Sequence, residues 1–462
     1  MDFQDLLGQL KLDSLDFSKP NELVDAIREK IDDVAPQVEG PLQIIGNFLQ
    51  NTATNAAKAL NNLSETLELD LYNTMQKLQG RENQAKSRYS YEQFQSILKE
   101  EECPCAVLDL EAFDHNLDMF EKGVKSTGKK IRIGTKSVRA PALIARAMKR
   151  PTFEGAFLFH PNELEYLQKR HNVNDFVLAY PIMNVREAKT CVDALLRDPE
   201  TRVAVMVDST AHLHLLEKVA SRNDVNIDVL LDMDASIRFI GQHAGVLRSP
   251  LNTPEKIVRL ARKIKRFPHV HFKGIMGYEA QEAGTGDHSL LFRMMKKESR
   301  LQIMRRRQGC VQALEEAGLH CEMVNGGGSG CFQDTAMESV VTEITVGSGL
   351  YKSYIFDPIE SLNQFIPSLF MALRVVRVPD KNTVTAFSGG YVSSAINKPP
   401  KIVYPEGCRV TSREGFGEVQ TPIQFDPTKV FLKHGDIVMT RLAKAGEPRS
   451  EERRVGKECA TG

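Results

Sequence analysis

Eight short apolar runs alternate with helix-like stretches between residues 131 and 351, and that alternation admits very few folds. The runs fall at 131–135, 155–159, 176–180, 202–207, 227–232, 272–277, 322–324 and 341–346. Between them, 141–148, 163–169, 210–220 and the long 290–317 stretch repeat apolar residues three or four apart, the spacing of one helix face. A further segment, 110–124, puts Phe113, Leu117, Phe120 and Val124 on one face. Strands separated by helices imply parallel βαβ units. Eight in succession over about 220 residues predict a closed (β/α)8 barrel, which typically takes ~250.

Outside that stretch the texture changes twice. Beyond Phe356 the helical period stops, and 372–378, 383–387, 401–404, and 430–432 with 437–440 predict short strands between Gly, Pro and Asp turns, a small β domain. The apolar run 105–108 ahead of the barrel is a candidate to pair with it. In the first 85 residues Leu23, Ile27, Ile31 and Val34, then Leu60, Leu63, Leu67, Leu71, Met75 and Leu78, keep helical spacing. These predict a helical extension over 1–85, joined through Gly80-Arg81-Glu82-Asn83-Gln84 to a barrel over 86–370 and a β domain over 371–448. The final stretch, from Arg449 to Cys459, resembles the translation of a short-read sequencing adapter, so 449–462 is expected to be non-native.

Composition removes whole function classes. Sixty basic and sixty acidic side chains give a formal net charge of zero, where nucleic-acid and acidic-membrane binders carry a basic excess. No apolar run approaches the roughly 18 residues that span a bilayer, and Asp2, Asp5 and Asp13 stand where a secretion signal needs bases and then an apolar core. A cytoplasmic protein with no nucleic-acid or membrane partner is expected. Eight cysteines without a CxxC pair fit reduced, packed thiols, and Cys103-Pro104-Cys105 is too tight for ordinary metal-ligand spacing.

Chemistry in such a barrel gathers at the C-terminal ends of the strands. The first run ends Gly134-Thr135-Lys136, which leaves Lys136 as a solvent-reaching lysine or as an amine nucleophile. The seventh runs into Asn325-Gly326-Gly327-Gly328-Ser329-Gly330 and the eighth into Gly347-Ser348-Gly349-Leu350-Tyr351. Glycine backbones let N–H groups approach an anion, and phosphate sites of these barrels follow strands seven and eight. His160, Tyr180, Asp208, Arg238, Tyr278 and Gln281 lie at other strand ends. His160 could stack on a flat cofactor ring, and Arg238 could either meet a heteroaromatic nitrogen or pair with Asp232 or Asp234. The pairs His212/His214 and His269/His271 have metal-like spacing, but side chains two apart on a helix diverge.

Together with Val207-Asp208-Ser209, Met276-Gly277-Tyr278-Glu279-Ala280-Gln281, Glu343-Ile344-Thr345, Gly417-Glu418-Val419-Gln420-Thr421-Pro422 and Ala443-Lys444-Ala445-Gly446-Glu447, these motifs resemble the alanine-racemase-type (fold type III) pyridoxal-phosphate enzymes. The resemblance is to the amino-acid deaminase/aldolase branch related to D-threonine aldolase and D-serine dehydratase, and it covers roughly residues 103–448. It implies an alanine-racemase-type barrel with a β domain of the D-serine-dehydratase kind, working as a homodimer. It implies pyridoxal 5'-phosphate on Lys136 as a Schiff base, with Lys136, His160 and Tyr180 catalytic. Contacts to the cofactor would come from His160, Arg238, Tyr278, Gln281, Gly327, Gly328, Ser329, Ser348, Gly349 and Tyr351, with Arg238 facing the ring nitrogen. The expected activity is a lyase acting on a β-hydroxy D-amino acid, with a racemase or a non-catalytic cofactor binder as alternatives. One departure stands out. Metal-using relatives place a histidine, with a Cys or Asp two residues on, near the end of the β domain, whereas this chain has Thr440-Arg441-Leu442-Ala443-Lys444. No metal is expected.

Overall fold

The computed structural model describes residues 87–448 except 392, 396, 397 and 412, so the expected N-terminal helices and the tail lie outside the described residues. After a short helix, Tyr91–Ile97, the strand β1 (Cys105–Leu108) leads into helix Leu110–Val124. Asp109 caps that helix by accepting the Ala112 N–H at 2.9 Å. The barrel follows: β2 (Lys130–Gly134), β3 (Phe153–Leu158), β4 (Asp175–Leu178), β5 (Arg202–Val207) and β6 (Ile227–Asp232). A hairpin of β7 (Ile237–Phe239) and β8 (Gln242–Ala244) interrupts it before β9 (Val270–Gly277), β10 (Met323–Gly326) and β11 (Glu343–Val346). The eight strands close in the order β10-β11-β2-β3-β4-β5-β6-β9, the seven pairings within the run of the chain and the β11–β2 closure all parallel. This is the (β/α)8 barrel that the alternation predicts.

Period two inside each strand explains why both faces are apolar. In β5, Val203, Val205 and Val207 pack outward against the helices, while Ala204 and Met206 join Val177, Leu230 and Met276 in the barrel interior. Asp208 and Asp232 continue the inward-facing series of β5 and β6, so both carboxylates stand at the C-terminal mouth. Helix Leu290–Glu316, capped by Ser289, and helix Pro254–Ile264, opened by Thr253 and Pro254, close the shell.

The second sheet is antiparallel: β12 (Leu369–Asp380), β13 (Thr383–Phe387), β14 (Lys401–Tyr404), β15 (Arg409–Val410), β16 (Gln420–Gln424) and β17 (Ile437–Arg441), ordered β14-β17-β12-β13-β16-β15. The strand β1 adds to it by pairing with β12, Cys105 opposite Ala372 and Leu108 opposite Leu369. Two expectations are corrected. Residues 430–432 are not a strand, because the Asp426 turn and the Asp436 carboxylate, which accepts the Lys433 N–H at 2.8 Å, take that backbone out of the ladder. The strand at β16 was hidden by Pro422, whose carbonyl nevertheless accepts the Thr411 N–H at 3.0 Å. No described helix is long and apolar enough to cross a membrane.

Candidate active site

At the end of β2 the chain enters a single helical turn, Thr135–Val138, which buries Thr135 and Val138 and exposes Lys136. The turn is fixed from several sides. Arg139, at φ +49°, closes it by donating its N–H to the Thr135 carbonyl at 2.8 Å and its Nε to the Lys136 carbonyl at 2.9 Å. Ser137 Oγ meets Ser348 Oγ at 2.9 Å. Gly446 of the β domain packs on the Ser137 carbonyl so closely that a Cβ there would stand 2.1 Å from the oxygen. Among the described residues the Lys136 ammonium has no hydrogen bond or ion pair. The backbone is held and the amine is free.

The two glycine loops converge beside this turn. Ser329 Oγ accepts the N–H groups of Gly349 at 2.9 Å and Gly347 at 3.4 Å, which ties the loop after β10 to the loop after β11. Gly327 donates its N–H to Glu279 Oε2 at 2.7 Å. The N–H groups of Gly328, Ser329 and Ser348 have no acceptor among the described residues. At Gly328 a Cβ would come within 2.5 Å of the Ala283 Cβ, so only glycine leaves this backbone in place. Three unengaged N–H groups on adjoining loops are donors of the kind that receive an anion. Their support is buried: Glu279, 2% exposed, pairs with Arg307, which also meets Glu338 Oε1 at 2.5 Å.

Other strand ends carry His160, Tyr180, Tyr278 and Asp208. His160 is half-exposed, its Nδ1 accepting the Asn162 N–H at 3.2 Å and its Nε2 lying 3.7 Å from Glu187. Tyr180 is 52% exposed with its ring under the Arg248 guanidinium, 5.2 Å away. The Tyr278 ring sits against Gly328, where a Cβ would be 3.5 Å from it. Asp208 Oδ1 lies 3.2 Å from His212 Nδ1. Arg248 Nε donates to Asp232 Oδ2 at 2.9 Å and its Nη2 to the Ala179 carbonyl at 3.0 Å, so this guanidinium bridges the ends of β6 and β4. Burial pushes the Asp232 carboxyl up to about 6 although Arg248 pulls it down.

Three expected cofactor contacts are corrected. Arg238 lies on the β7–β8 hairpin opposite His243, exposed, next to the tight Ile240-Gly241 turn. Gln281 is buried, and its Nε2 donates to the Ala235 carbonyl at 2.8 Å and to Ser299 Oγ at 2.9 Å. Tyr351 is 1% exposed and its hydroxyl donates to the Val138 carbonyl at 2.6 Å, so it braces the Lys136 turn from behind. Sequence reasoning missed Arg248 and the supporting role of Glu279. Arg248 is sixteen residues from Asp232 with no periodic signal, whereas Glu279 lay inside a quoted motif beside Tyr278.

The C-terminal segment offers cations and an apolar side chain. Arg441 is held by Asp357 at 2.8 and 2.9 Å, Leu442 is buried, and Lys444 donates to Ser394 Oγ at 2.5 Å. Among the described residues no group of three or more His, Cys, Asp or Glu is placed to hold a metal ion. His269 pairs with Glu217 at 2.9 Å and His214 packs edge-on against Phe267, both structural uses.

Comparison with known families matches the alanine racemase N-terminal domain to residues 108–354. The chain belongs to this family. Relatives of this alanine-racemase-type barrel include 3-hydroxy-D-aspartate aldolase of Paracoccus denitrificans (strain Pd 1222), 26% identical over 247 residues, which are 53% of this chain and 59% of that one. D-threonine aldolase of Arthrobacter sp is 24% identical over 217 residues, 46% of this chain and 52% of that one. The chain thus spans little more than half the length of these relatives. Among solved structures, D-threonine aldolase from Filomicrobium marinum superposes with a TM-score of 0.67 at 19% identity, covering 77% of this chain and 90% of that one. D-threo-3-hydroxyaspartate dehydratase from Delftia sp. HT23 gives 0.61 at 15%, covering 77% and 93%. At such identities these two superpositions show the shared barrel and β domain.

Proposed function

We propose that this chain is a pyridoxal-phosphate-dependent lyase that cleaves or dehydrates a β-hydroxy D-amino acid. The observation that carries the reading is an unengaged lysine amine on a clamped turn beside three unengaged N–H groups from the seventh and eighth strand loops. The residues present fit the cofactor. The N–H groups of Gly328, Ser329 and Ser348 would hold its phosphate, Lys136 its aldehyde carbon, and Arg248, in place of Arg238, its ring nitrogen. When bound, pyridoxal phosphate supplies a sink for the electron pair left at the substrate Cα.

The side chains do the rest. An arginine keeps its proton, so a ring nitrogen held by Arg248 stays unprotonated. The Lys136 amine moves a proton at Cα. His160 accepts the Asn162 N–H at Nδ1, which puts its one ring proton on Nε2, toward Glu187 3.7 Å away; the Glu187 carboxylate, beside that imidazole, takes up the proton of the substrate β-hydroxyl. The Tyr180 phenol, exposed at the mouth, orients the substrate carboxylate. Leu442 and Lys444 do not make a donor set for a divalent ion. The names of the relatives, aldolases of 3-hydroxy-D-aspartate and D-threonine, support the substrate class.

Adding cofactor to purified protein should give a visible absorption band that borohydride removes and that Lys136→Ala never acquires. Incubation with D-threonine, D-3-hydroxyaspartate, D-serine and D-alanine should then release an aldehyde with glycine, or a ketoacid with ammonia, from the β-hydroxy substrates. A wild type that cannot be coloured refutes the cofactor, and release of L-isomers alone refutes the lyase.

A further inference from the structure

Cys103 and Cys105 stand apart from the other described thiols. Cys191, Cys310, Cys321 and Cys331 are buried, and burial pushes the half-buried Cys408 thiol up to about 11. Cys103 and Cys105 are half-exposed at the head of β1, and their sulfurs touch at 3.9 Å. A rigid cation lies beside them. Arg374 is pinned by three carbonyls, Gly435 at 2.9 Å, Leu98 at 2.9 Å and Glu101 at 2.7 Å, and its field falls on Cys103. The hydrogen bond from the Cys105 thiol, against the cost of burial and with help from Arg374, holds Cys103 down at about 7, while the same contact and burial push Cys105 up. A thiol poised near neutral pH has a large thiolate fraction and keeps its nucleophilicity. The neighbouring protonated thiol supplies the second sulfur. Packed, inert cysteines have none of these properties.

We propose that Cys103 and Cys105 are a thiol–disulfide exchange site, which takes a small disulfide such as glutathione disulfide as its oxidant and closes reversibly into a Cys103–Cys105 bond. The Cys103 thiolate attacks one sulfur of the small disulfide, forming a mixed disulfide and expelling one glutathione thiolate, which takes up a proton. The Cys105 thiol then loses its proton, its sulfur attacks the Cys103 sulfur, and the second glutathione leaves. Two protein thiols are oxidised, one small disulfide is reduced, and two glutathiones are released. Closing the bond brings the sulfurs from contact to about 2.05 Å, a movement available to two half-exposed side chains. The site is independent of the barrel mouth and of the reaction assigned to it.

Full-length protein exposed to glutathione disulfide, alkylated and digested should show the peptide with both cysteines lighter by two hydrogens and closed to alkylation, and dithiothreitol should reopen it. The rate should climb through pH 7 and level off above it. In Cys105→Ser the product should become a stable glutathione adduct on Cys103. In Cys103→Ser no internal bond can close, and Cys105, still pushed up by burial though no longer by Cys103, should give a lasting glutathione adduct more slowly than Cys103 does in Cys105→Ser. A lasting adduct on Cys103 in the wild type, a first reaction at Cys408, or no reaction while the small disulfide oxidises free cysteine in the same buffer would each overturn the proposal.

Discussion

Arg132 and Arg248 meet carboxylates at opposite ends of one barrel, and the two ends are finished differently. Toward the N-terminal end Arg132, 1% exposed, is saturated: Nε and Nη2 donate to both Glu343 oxygens at 2.8 Å and Nη1 to Asp175 at 2.5 Å. Asn325 donates to Glu343 at 2.8 Å, and Arg202 caps Asp175 at 3.1 Å. No polar atom of these buried side chains is left over. At the mouth, by contrast, Asp232 Oδ1 lacks a partner among the described residues, as do the three N–H groups of the glycine loops. Buried polar groups are nearly always satisfied, so an open carboxylate oxygen near unengaged N–H groups is the arrangement a ligand site would leave. The network at the closed end ties β2, β4 and β11 together; the open donors and acceptor at the mouth are those the proposed function assigns to a ligand.

The sharpest way to break that contrast is at the closed end. Arg132→Leu strands Glu343 without a counter-charge and leaves Asp175 only Arg202, and removing one partner of a buried ion network costs about 3–5 kcal/mol. Chemical denaturation should show that loss, while the surviving folded fraction binds cofactor as the wild type does. A loss below about 1 kcal/mol, or a large drop in affinity, would sink the assignment of this network to stability alone.

Glu279 tests the opposite end. It is buried like Arg132, yet its carboxylate accepts the Gly327 N–H, at the loop proposed to hold the phosphate. Glu279→Ala leaves that N–H and half of Arg307 unpaired, and a cost of about 2 kcal/mol at the cradle corresponds to roughly thirtyfold weaker cofactor binding. Glu279→Gln keeps an acceptor for Gly327 and should stay within about threefold of the wild type. Absorbance titration distinguishes them, and equal behaviour of the two variants would remove Gly327 from the argument.

How much of this was legible follows from the range of the signals. Barrel strands such as Arg202–Val207 and Ile227–Asp232 are apolar on both faces and bounded by capped helices, so local pattern finds them. Lys136 and the glycine loops were visible because each is a strand end followed by an unusual local run. The hairpin that carries Arg238 was not legible because Ile240-Gly241 makes its two-residue turn, and an isoleucine at φ +47° is a turn residue no propensity suggests. Arg248, Arg307 and the Tyr351 hydroxyl act across 16, 28 and 213 residues of chain, and spacing carries no trace of such contacts. The sulfur contact of Cys103 and Cys105 is local, but the spacing alone does not reveal the arginine beside it.

Asp232 gives the smallest effect and the finest distinction between the two ends. Its carboxyl rises to about 6, through burial first and then the neighbouring Asp208 and Asp234 charges, with Arg248 opposing. Unfolded, an aspartate titrates near 3.9. The folded state therefore binds this proton more tightly, and between about pH 4 and 6 the contribution of Asp232 to stability falls as pH rises. Glu282, raised to about 7 by burial, adds a contribution of the same sign. Cofactor-free wild type should lose about 1 kcal/mol from Asp232 between pH 5 and pH 7.5. Asp232→Asn should abolish that share and leave the share of Glu282. If denaturant midpoints of wild type and Asp232→Asn run parallel across this range, the unpartnered Asp232 oxygen holds no proton, and the open end differs from the closed one only in its backbone.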